Sequence, residues 1–231
     1  KETMTPGRYD FVAQASGYGM KRFSADIDPG SQTVTVKMPL NLASGENGAK
    51  ATGDGAGWGA LIDDTEASNW TSDEGPVVEG KQVTVDLAGG KHLIDTVNVS
   101  AMLNPSGGQN RFSALRSFAI EVCSGKCKNA DEFKRIYTSK KNAFPAVPPR
   151  PKAPHLILRS FDVPNVTATH VRLVVLTNQC TGVKEFRKEN DNDATPRSAP
   201  EIYNVTLIGG GAVTKKQGAL HLRSGTAGKI R

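Results

Sequence analysis

Three carboxylates crowd into the stretch LIDDTEASNW, residues 61–70, where Asp63, Asp64 and Glu66 stand beside the hydroxyls of Thr65 and Ser68. Calcium prefers hard oxygen ligands held by a flexible loop, with charge from a few carboxylates. Carboxylates on a turn also accept hydrogen bonds from nearby backbone amides, as in an Asx-turn that holds no metal. The residues by themselves favour the Asx-turn and leave the calcium site open.

The same acids do not form the pattern of a catalytic pair. Glycoside hydrolysis needs two carboxylates that flank a sugar in a cleft, one of them with a raised pKa. Asp63 and Asp64 are neighbours on a turn, where adjacent side chains diverge. The motifs HExxH, GxSxG and GxxxxGK are absent. The four histidines are scattered without ligand spacing: His92, His155, His170 and His221. The sequence therefore predicts that this chain is not an enzyme.

The composition is that of a modestly basic chain with enough apolar residues to bury a core. Its 231 residues include 29 Lys and Arg against 23 Asp and Glu, a formal net charge of +6 that suits weak attraction to polyanions. With 37% hydrophobic residues the chain is long enough for one or two domains. It contains no apolar run long enough to span a bilayer. It begins KETMTPGRYDF, already in a strand-like pattern, and we therefore expect a piece of a longer precursor.

Two of the three cysteines, Cys123 and Cys127, lie together in VCSGKCKN, while Cys180 stands apart. We favour a disulfide between Cys123 and Cys127. A zinc half-site would need a second ligand pair, and two reduced thiols of a cytosolic protein remain an alternative. A disulfide implies an oxidising compartment, so the expected location is secreted and extracellular.

Apolar residues alternate with polar ones in six segments bounded by Gly, Pro, Asn or Asp. They are QTVTVKM, KQVTVDL, DTVNVSAML, SFAIEVC, HVRLVVLT and EIYNVTLIG. This pattern predicts an all-β protein, an antiparallel β-sandwich, with at most a short helical turn in NADEFKRIY.

The first 40 residues form a segment distinct from the rest of the chain. The pieces PG-x-Y-x-F and A-x-GY resemble the closing strands of the carboxypeptidase regulatory-like, prealbumin-type sandwich. Because so short a piece rarely folds alone, residues 1–40 would be a partial prealbumin-like β segment that has lost its earlier strands or leans on the next domain. Residues 212–231 lack periodicity and carry several positive charges, which is typical of a solvated basic tail.

Residues 41–211 resemble a discoidin domain, also called the coagulation factor V/VIII type C domain. The matching pieces, in order, are NLA, ALIDDTEASNW, KQVTVDL, NRFSALRSFAIEV and EIYNVTLIGG. The resemblance implies a jelly-roll β-sandwich shared with many bacterial carbohydrate-binding modules. The segment FPAVPPRPKAPHLILRSFDVPNVTATHVRLVVLTNQCTG is similar to discoidin-like domains at the C-terminal end of secreted actinobacterial fungalysin-type metalloproteases, which implies a metalloprotease parent.

The discoidin resemblance also implies a structural calcium ion, which makes calcium the favoured hypothesis for the acidic loop. Carried over by position, its ligands are the Ala60 carbonyl, Asp63, Thr65, Ser68, the Pro200 carbonyl and Glu201. Two positions depart from the family pattern. Thr65 stands where Asp or Asn is common, and Asp64 replaces the usual turn glycine.

Discoidin-like domains usually bind through loops at one end of the sandwich, where sugar modules place an aromatic platform beside a few polar groups. The candidate contacts are Trp58, Asn110, Arg111, Phe144, Arg150 and His155. Each has a structural alternative: Trp58 closing the sandwich end, Arg111 in an ion pair, or the Pro-rich segment as a rigid connector. Lys140, Lys141, Arg150 and Lys152 form a basic rim without interleaved aromatic residues, which disfavours dedicated nucleic-acid binding.

The expected function is that of a non-catalytic, calcium-stabilised extracellular recognition module that binds glycan or a surface protein. It would be an accessory part of a secreted hydrolase, joined or bound to a partner domain of the same precursor. The alternative is a structural or adhesive fragment that acts through protein–protein contacts.

Overall fold

The structure is a computed structural model that describes residues 4–13, 15–19, 21–30, 32–65, 68–101, 110–145, 159–185, 206–208 and 213–220. Its strands are β1 Gly7–Ala13, β2 Lys21–Ile27, β3 Met38–Asn41, β4 Lys50–Gly53, β5 Asn69–Thr71, β6 Gln82–Asp86, β7 His92–Val99, β8 Leu115–Cys123, β9 Lys134–Thr138, β10 Arg159–Ala168, β11 His170–Asn178, β12 Thr206–Ile208 and β13 Val213–Leu220. Its short helices are α1 Asn110–Ser113, α2 Gln179–Gly182 and the 3-10 turns Gly45–Asn47, Trp58–Leu61 and Ala130–Glu132.

Two antiparallel sheets form the sandwich. One has the order β10-β7-β13-β3 and the other β4-β6-β11-β8-β9, while β5 pairs with β12 and β1 with β2. The predicted all-β antiparallel sandwich is confirmed. In the segment NADEFKRIY, the predicted short turn is the 3-10 turn Ala130–Glu132, and the following residues form β9.

One hydrophobic core joins the two sheets. Val83 and Val85 of β6 alternate inward, as the period-two pattern predicts. Phe118 of β8 meets Phe161 of β10 across the core at a ring distance of 4.9 Å in an edge-to-face arrangement. Trp70 of β5 belongs to the same core and is fully buried. The acidic stretch therefore ends in a residue that anchors it to the sandwich.

The predicted domain boundaries at residues 40 and 212 do not coincide with the limits of the observed sheets. β3 begins at Met38, and its residues pair with β13, which also pairs with β7. Residues 213–220 are thus a strand between two neighbours rather than part of a solvated tail. Backbone N–H and C=O groups form these ladder bonds, so a strand does not require alternating side chains. The run VTKKQGAL lacks such alternation and therefore carries no local signal for a strand. Residues 221–231 lie outside the described residues.

The N-terminal residues form a separate hairpin. Phe11 and Phe23 face each other across β1 and β2, with stacked rings 5.2 Å apart. The turn of this hairpin, around Gly17, lies against the sandwich, where Tyr18 forms an isolated bridge with Leu40. The origin of residues 1–40 in a larger prealbumin-type sandwich stays a prediction.

Candidate functional site

The glycine-rich loop GDGAGWGA lies against the backbone of β5. Ala56 and Thr71 exchange backbone hydrogen bonds of 2.9 and 3.0 Å. Gly55 has φ +74°, and a Cβ at this position would lie 2.0 Å from the Thr71 carbonyl oxygen. Gly57 has φ +82° and also approaches β5 closely, since a Cβ there would lie 2.6 Å from the Asn69 carbonyl oxygen. Only glycine fits this conformation and this approach, so the loop that carries Trp58 is held in place.

Both tryptophans of the chain donate to one acceptor. The indole nitrogens of Trp58 and Trp70 lie 3.2 and 2.7 Å from the Asp54 carbonyl oxygen. Asp54 is itself fixed, because its carboxylate accepts a 2.8 Å bond from the Gln82 amide. Trp70 is 0% exposed and Trp58 is 38% exposed. Trp70 therefore fills the core, and Trp58 lies at the surface with its indole nitrogen held by the Asp54 carbonyl.

The acidic loop follows the 3-10 turn Trp58–Leu61, whose last residue is buried. Asp63 accepts bonds from the Thr65 amide at 3.1 Å and from the Ser68 hydroxyl at 2.5 Å. This is the geometry of an Asx-turn. It also brings a carboxylate and a hydroxyl oxygen to one side of the loop.

Asp64 has a different set of partners. Its carboxylate accepts bonds from the Gly17 amide at 2.9 Å, from the Asn41 side-chain amide at 2.6 Å and from the Ser44 hydroxyl. Its φ is +59°, in the left-handed region where the family pattern has glycine. The adjacent acids therefore serve different contacts, as expected for neighbours on a turn.

The described part of the predicted calcium site fits the chemistry of that ion. Ala60, Asp63, Thr65 and Ser68 supply carbonyl, carboxylate and hydroxyl oxygens from nine consecutive residues, the hard donors that calcium prefers. Pro200 and Glu201 lie outside the described residues. Within the described ranges, no three His, Cys, Asp or Glu side chains form a metal-binding group. Of the predicted ligands, Glu201 is the other one that carries a negative charge.

The prediction that Phe144 contacts a ligand is wrong. Phe144 is 1% exposed and packs its ring against Phe161 at 5.7 Å, with the Arg159 guanidinium over the same ring at 5.2 Å. Its carbonyl accepts a 2.6 Å bond from the side chain of the buried Gln179. The Pro-rich sequence after Phe144 suggests a surface loop, whereas long-range aromatic contacts place this ring in the core.

The side chains of the other predicted ligand contacts are not described by the structure. Asn110 and Arg111 form the start of α1, and the structure describes their backbone. Arg150 and His155 lie outside the described residues, as does Lys152 of the basic rim. Lys140 and Lys141 are exposed. Of the predicted ligand contacts, Trp58 is thus the one whose side chain is both described and exposed, and Asp54 is a site residue that the sequence does not indicate.

The Cys123–Cys127 disulfide is confirmed, with 5.8 Å between the two Cα atoms. The loop that it closes packs on Thr169, whose amide donates a 2.9 Å bond to the Cys123 carbonyl. Cys180 is buried in α2, outside the disulfide. Among the described residues, no helix has the length and apolarity that a membrane crossing requires.

Comparison with protein-family models gives no match, and neither does comparison with curated proteins. Solved structures give distant similarities. One is CpGH89CBM32-5 from Clostridium perfringens, in complex with GalNAc-β-1,3-galactose, at 18% identity and TM-score 0.43, covering 75% of this chain and 98% of that one. Another is chitosan-binding module 1 from the chitosanase/glucanase of Paenibacillus sp. IK-5, at 18% identity and TM-score 0.43, covering 76% of this chain and 98% of that one.

A third is the family 32 carbohydrate-binding module of Streptococcus pneumoniae EndoD, at 14% identity and TM-score 0.42, covering 77% of this chain and 99% of that one. At such identities and TM-scores, neither ligands nor site residues transfer from these proteins. The metalloprotease parent implied by the sequence stays a prediction.

Proposed function

We propose that this chain is a non-catalytic recognition module that binds glycan through the loop of residues 53–61, with Trp58 as the platform. The carrying observation is the 38% exposed Trp58, whose indole is fixed by the Asp54 carbonyl. An aromatic ring offers a large contact surface to the apolar face of a sugar. Because the loop is already ordered, little binding energy is lost in fixing it.

The acids near this platform support a binding role rather than hydrolysis. Asp54 accepts a bond from the Gln82 amide, Asp63 holds the turn that leads to Ser68, and Asp64 holds Gly17. A catalytic pair would need two carboxylates that face a common substrate, one of them kept protonated by its surroundings. These three carboxylates instead accept hydrogen bonds from different structural elements.

Calcium is the second part of the proposal. Ala60, Asp63, Thr65 and Ser68 would hold the ion together with Pro200 and Glu201, and the ion would supply positive charge that neutralises the acidic loop. The chain's own residues would do the positioning: Leu61 is buried below the loop, and the Ile62 carbonyl accepts a 2.7 Å bond from the Gly45 amide. Calcium would thereby stabilise the segment that follows Trp58.

The wider setting is proposed from chemistry and from the sequence resemblance. The disulfide favours an oxidising compartment, hence a secreted, extracellular protein. There the module would hold a secreted hydrolase, joined to it or bound as a partner domain, on a glycan or a surface protein. The competing proposal is a structural or adhesive fragment that acts through protein–protein contacts.

Retention on insoluble polysaccharides and on glycan arrays tests this function. We expect weak retention by the single module at low and physiological salt, and loss of at least about tenfold in affinity for Trp58→Ala, about the size of one good aromatic contact. Leu93→Ala is the matched control, because Leu93 is also 38% exposed but lies on β7. Retention that disappears at physiological salt would instead indicate polyanion binding. No retention of the wild type at either salt would favour the structural fragment.

A further inference from the structure

The N-terminal hairpin has an open edge along β1. Among the described residues, β1 and β2 form a sheet of two strands, so each strand has one edge that pairs with no other strand. The edge of β2 is partly occupied, because the Asp26 carbonyl accepts a 3.1 Å bond from the side-chain amide of Gln32. An unpaired edge presents a row of backbone N–H and C=O groups to which another strand can add. In this hairpin, β1 carries the more open edge.

The backbone groups of Arg8 and Asp10 point to this edge. In an antiparallel pair, side chains lie closest at the positions that exchange no backbone hydrogen bonds. Two cross-strand contacts of the hairpin have this closeness: the Ser24 hydroxyl donates to the Asp10 carboxylate at 2.6 Å, and Arg8 lies 3.9 Å from Asp26. The bond from Gln32 agrees, since it requires an Asp26 carbonyl that faces away from β1. Positions 8 and 10 can therefore bond an incoming strand.

The charge pattern of β1 is complementary to itself. When two copies of β1 lie antiparallel with Tyr9 on a two-fold axis, Arg8 of each copy lies opposite Asp10 of the other. Opposite charges at such cross-strand positions are stabilising, and like charges directly opposite are destabilising. With the axis at Asp10 instead, two carboxylates would face each other. The charges thus favour a second copy as the partner, and they favour one register.

The same register covers exposed apolar surface of β1. Val12 is 52% exposed, and it would lie opposite Pro6 of the other copy. On the other face of the hairpin, Phe11 stacks on Phe23 at a ring distance of 5.2 Å. Phe11 would lie opposite Gly7 of the second copy, an arrangement in which an aromatic ring covers an edge glycine. Charged and apolar positions therefore agree on the same pairing.

We propose that β1 is an interaction surface through which two copies of this chain pair edge to edge, forming a four-stranded sheet in the order β2-β1-β1-β2. A two-stranded hairpin is marginally stable alone, and added strands stabilise it. Antiparallel pairing places the two hairpin turns, which lie against the sandwiches, at opposite ends of the new sheet. Two seven-residue strands bury less area than a standard stable interface, so the dimer is weak and concentration-dependent. The inference is independent of the glycan and calcium proposals, whose residues take no part in it.

Sedimentation equilibrium of the whole chain, at concentrations from micromolar to millimolar, tests the dimer. We expect a reversible monomer–dimer equilibrium for the wild type. Asp10→Arg should weaken dimerisation at least about tenfold, because two attractive cross-strand pairs become repulsive. Arg8→Asp should have the same effect, and the double variant with both substitutions should restore dimerisation, because the charges are complementary again. The control Asp73→Arg makes the same change of charge at an exposed residue after β5 and should leave dimerisation unchanged.

A cysteine at the two-fold axis tests the register. Tyr9→Cys should form a covalent dimer on mild oxidation, since the two thiols would face each other across the axis. Ala13→Cys lies on the same face but away from the axis, and should not form one.

Three results would contradict the proposal. A wild type that stays monomeric at every concentration would overturn a second copy as the occupant and favour an extended segment of another protein. A dimer that neither Asp10→Arg nor Arg8→Asp weakens, with far-UV circular dichroism as in the wild type, would overturn β1 as the interface. Equal cross-linking of the two cysteine variants would overturn the register.

Discussion

Gly55→Ala should destabilise the loop that carries Trp58. The new Cβ would lie 2.0 Å from the Thr71 carbonyl oxygen and 2.6 Å from the Ser72 Cα, both of them backbone atoms of or beside β5. No side-chain rotation relieves this overlap, so the loop must move away from β5. The two Ala56–Thr71 backbone bonds are then lost.

The expected loss of stability in Gly55→Ala comes from two contributions. The left-handed conformation of Gly55 costs a residue with a Cβ about 1–2 kcal/mol, and each of the two lost hydrogen bonds contributes about 1 kcal/mol. The free energy of unfolding should fall by about 3–4 kcal/mol. For a chain of this size, about 2–4 °C per kcal/mol gives a drop in Tm of about 6–16 °C.

The matched control is Gly59→Ala in the same loop. A Cβ at Gly59 meets no heavy atom within 4 Å, and its φ lies outside the left-handed region. This variant should be neutral or more stable by about 0.4–1 kcal/mol, because alanine restricts the unfolded chain. Urea unfolding followed by far-UV circular dichroism measures both variants. If they differ by less than about 0.5 kcal/mol, a typical surface effect, the close packing of the loop on β5 is refuted.

Three further outcomes are expected for the core, the disulfide and the acidic loop. Phe144→Ala should lower the free energy of unfolding, measured with urea, by about 3–5 kcal/mol. A decrease below about 1 kcal/mol would contradict the burial of Phe144 in the core. Non-reducing peptide mapping should find Cys123 bonded to Cys127, and replacement of both by serine should lower the free energy of unfolding by about 2 kcal/mol, because the loop is short. Cys180 should react with a thiol reagent only on unfolding, and fast labelling of the native protein would contradict its burial. Calcium at a hundred times its dissociation constant should raise the free energy of unfolding by about 2.7 kcal/mol. Equal melting temperatures with calcium and with chelator, and no metal found by elemental analysis, would therefore refute the calcium site.

Several strands with local alternation were predictable from the sequence, but QTVTVKM, which also alternates, forms no strand before β3 begins at Met38. KQVTVDL became β6 because its valines face the core at every second position. β13 was missed, since its place between β7 and β3 depends on backbone pairing with strands far away in the chain. A local pattern carries no information on such long-range pairing.

The candidate site shows the same division. Asx-turn bonding at Asp63 is the alternative that the residues alone favoured for the acidic loop, and its partners Thr65 and Ser68 are close in sequence. The bond from Gly17 to Asp64 joins residues 47 positions apart, and no spacing rule predicts it. Likewise, the glycines around Trp58 indicated a loop, but the contact of Gly55 with β5 is a property of the fold.

The shared Asp54 carbonyl has a spectroscopic consequence. The chain has two tryptophans, one fully buried and the other 38% exposed, so its native fluorescence combines an emitter in an apolar environment with one in contact with water. A soluble quencher reaches Trp58 but not Trp70. Since both indoles donate to the same oxygen, any movement of Trp58 away from the Asp54 carbonyl also changes the polarity around Trp70. The protein thus carries an intrinsic two-component optical probe of its own loop, with one component at the surface and the other in the core.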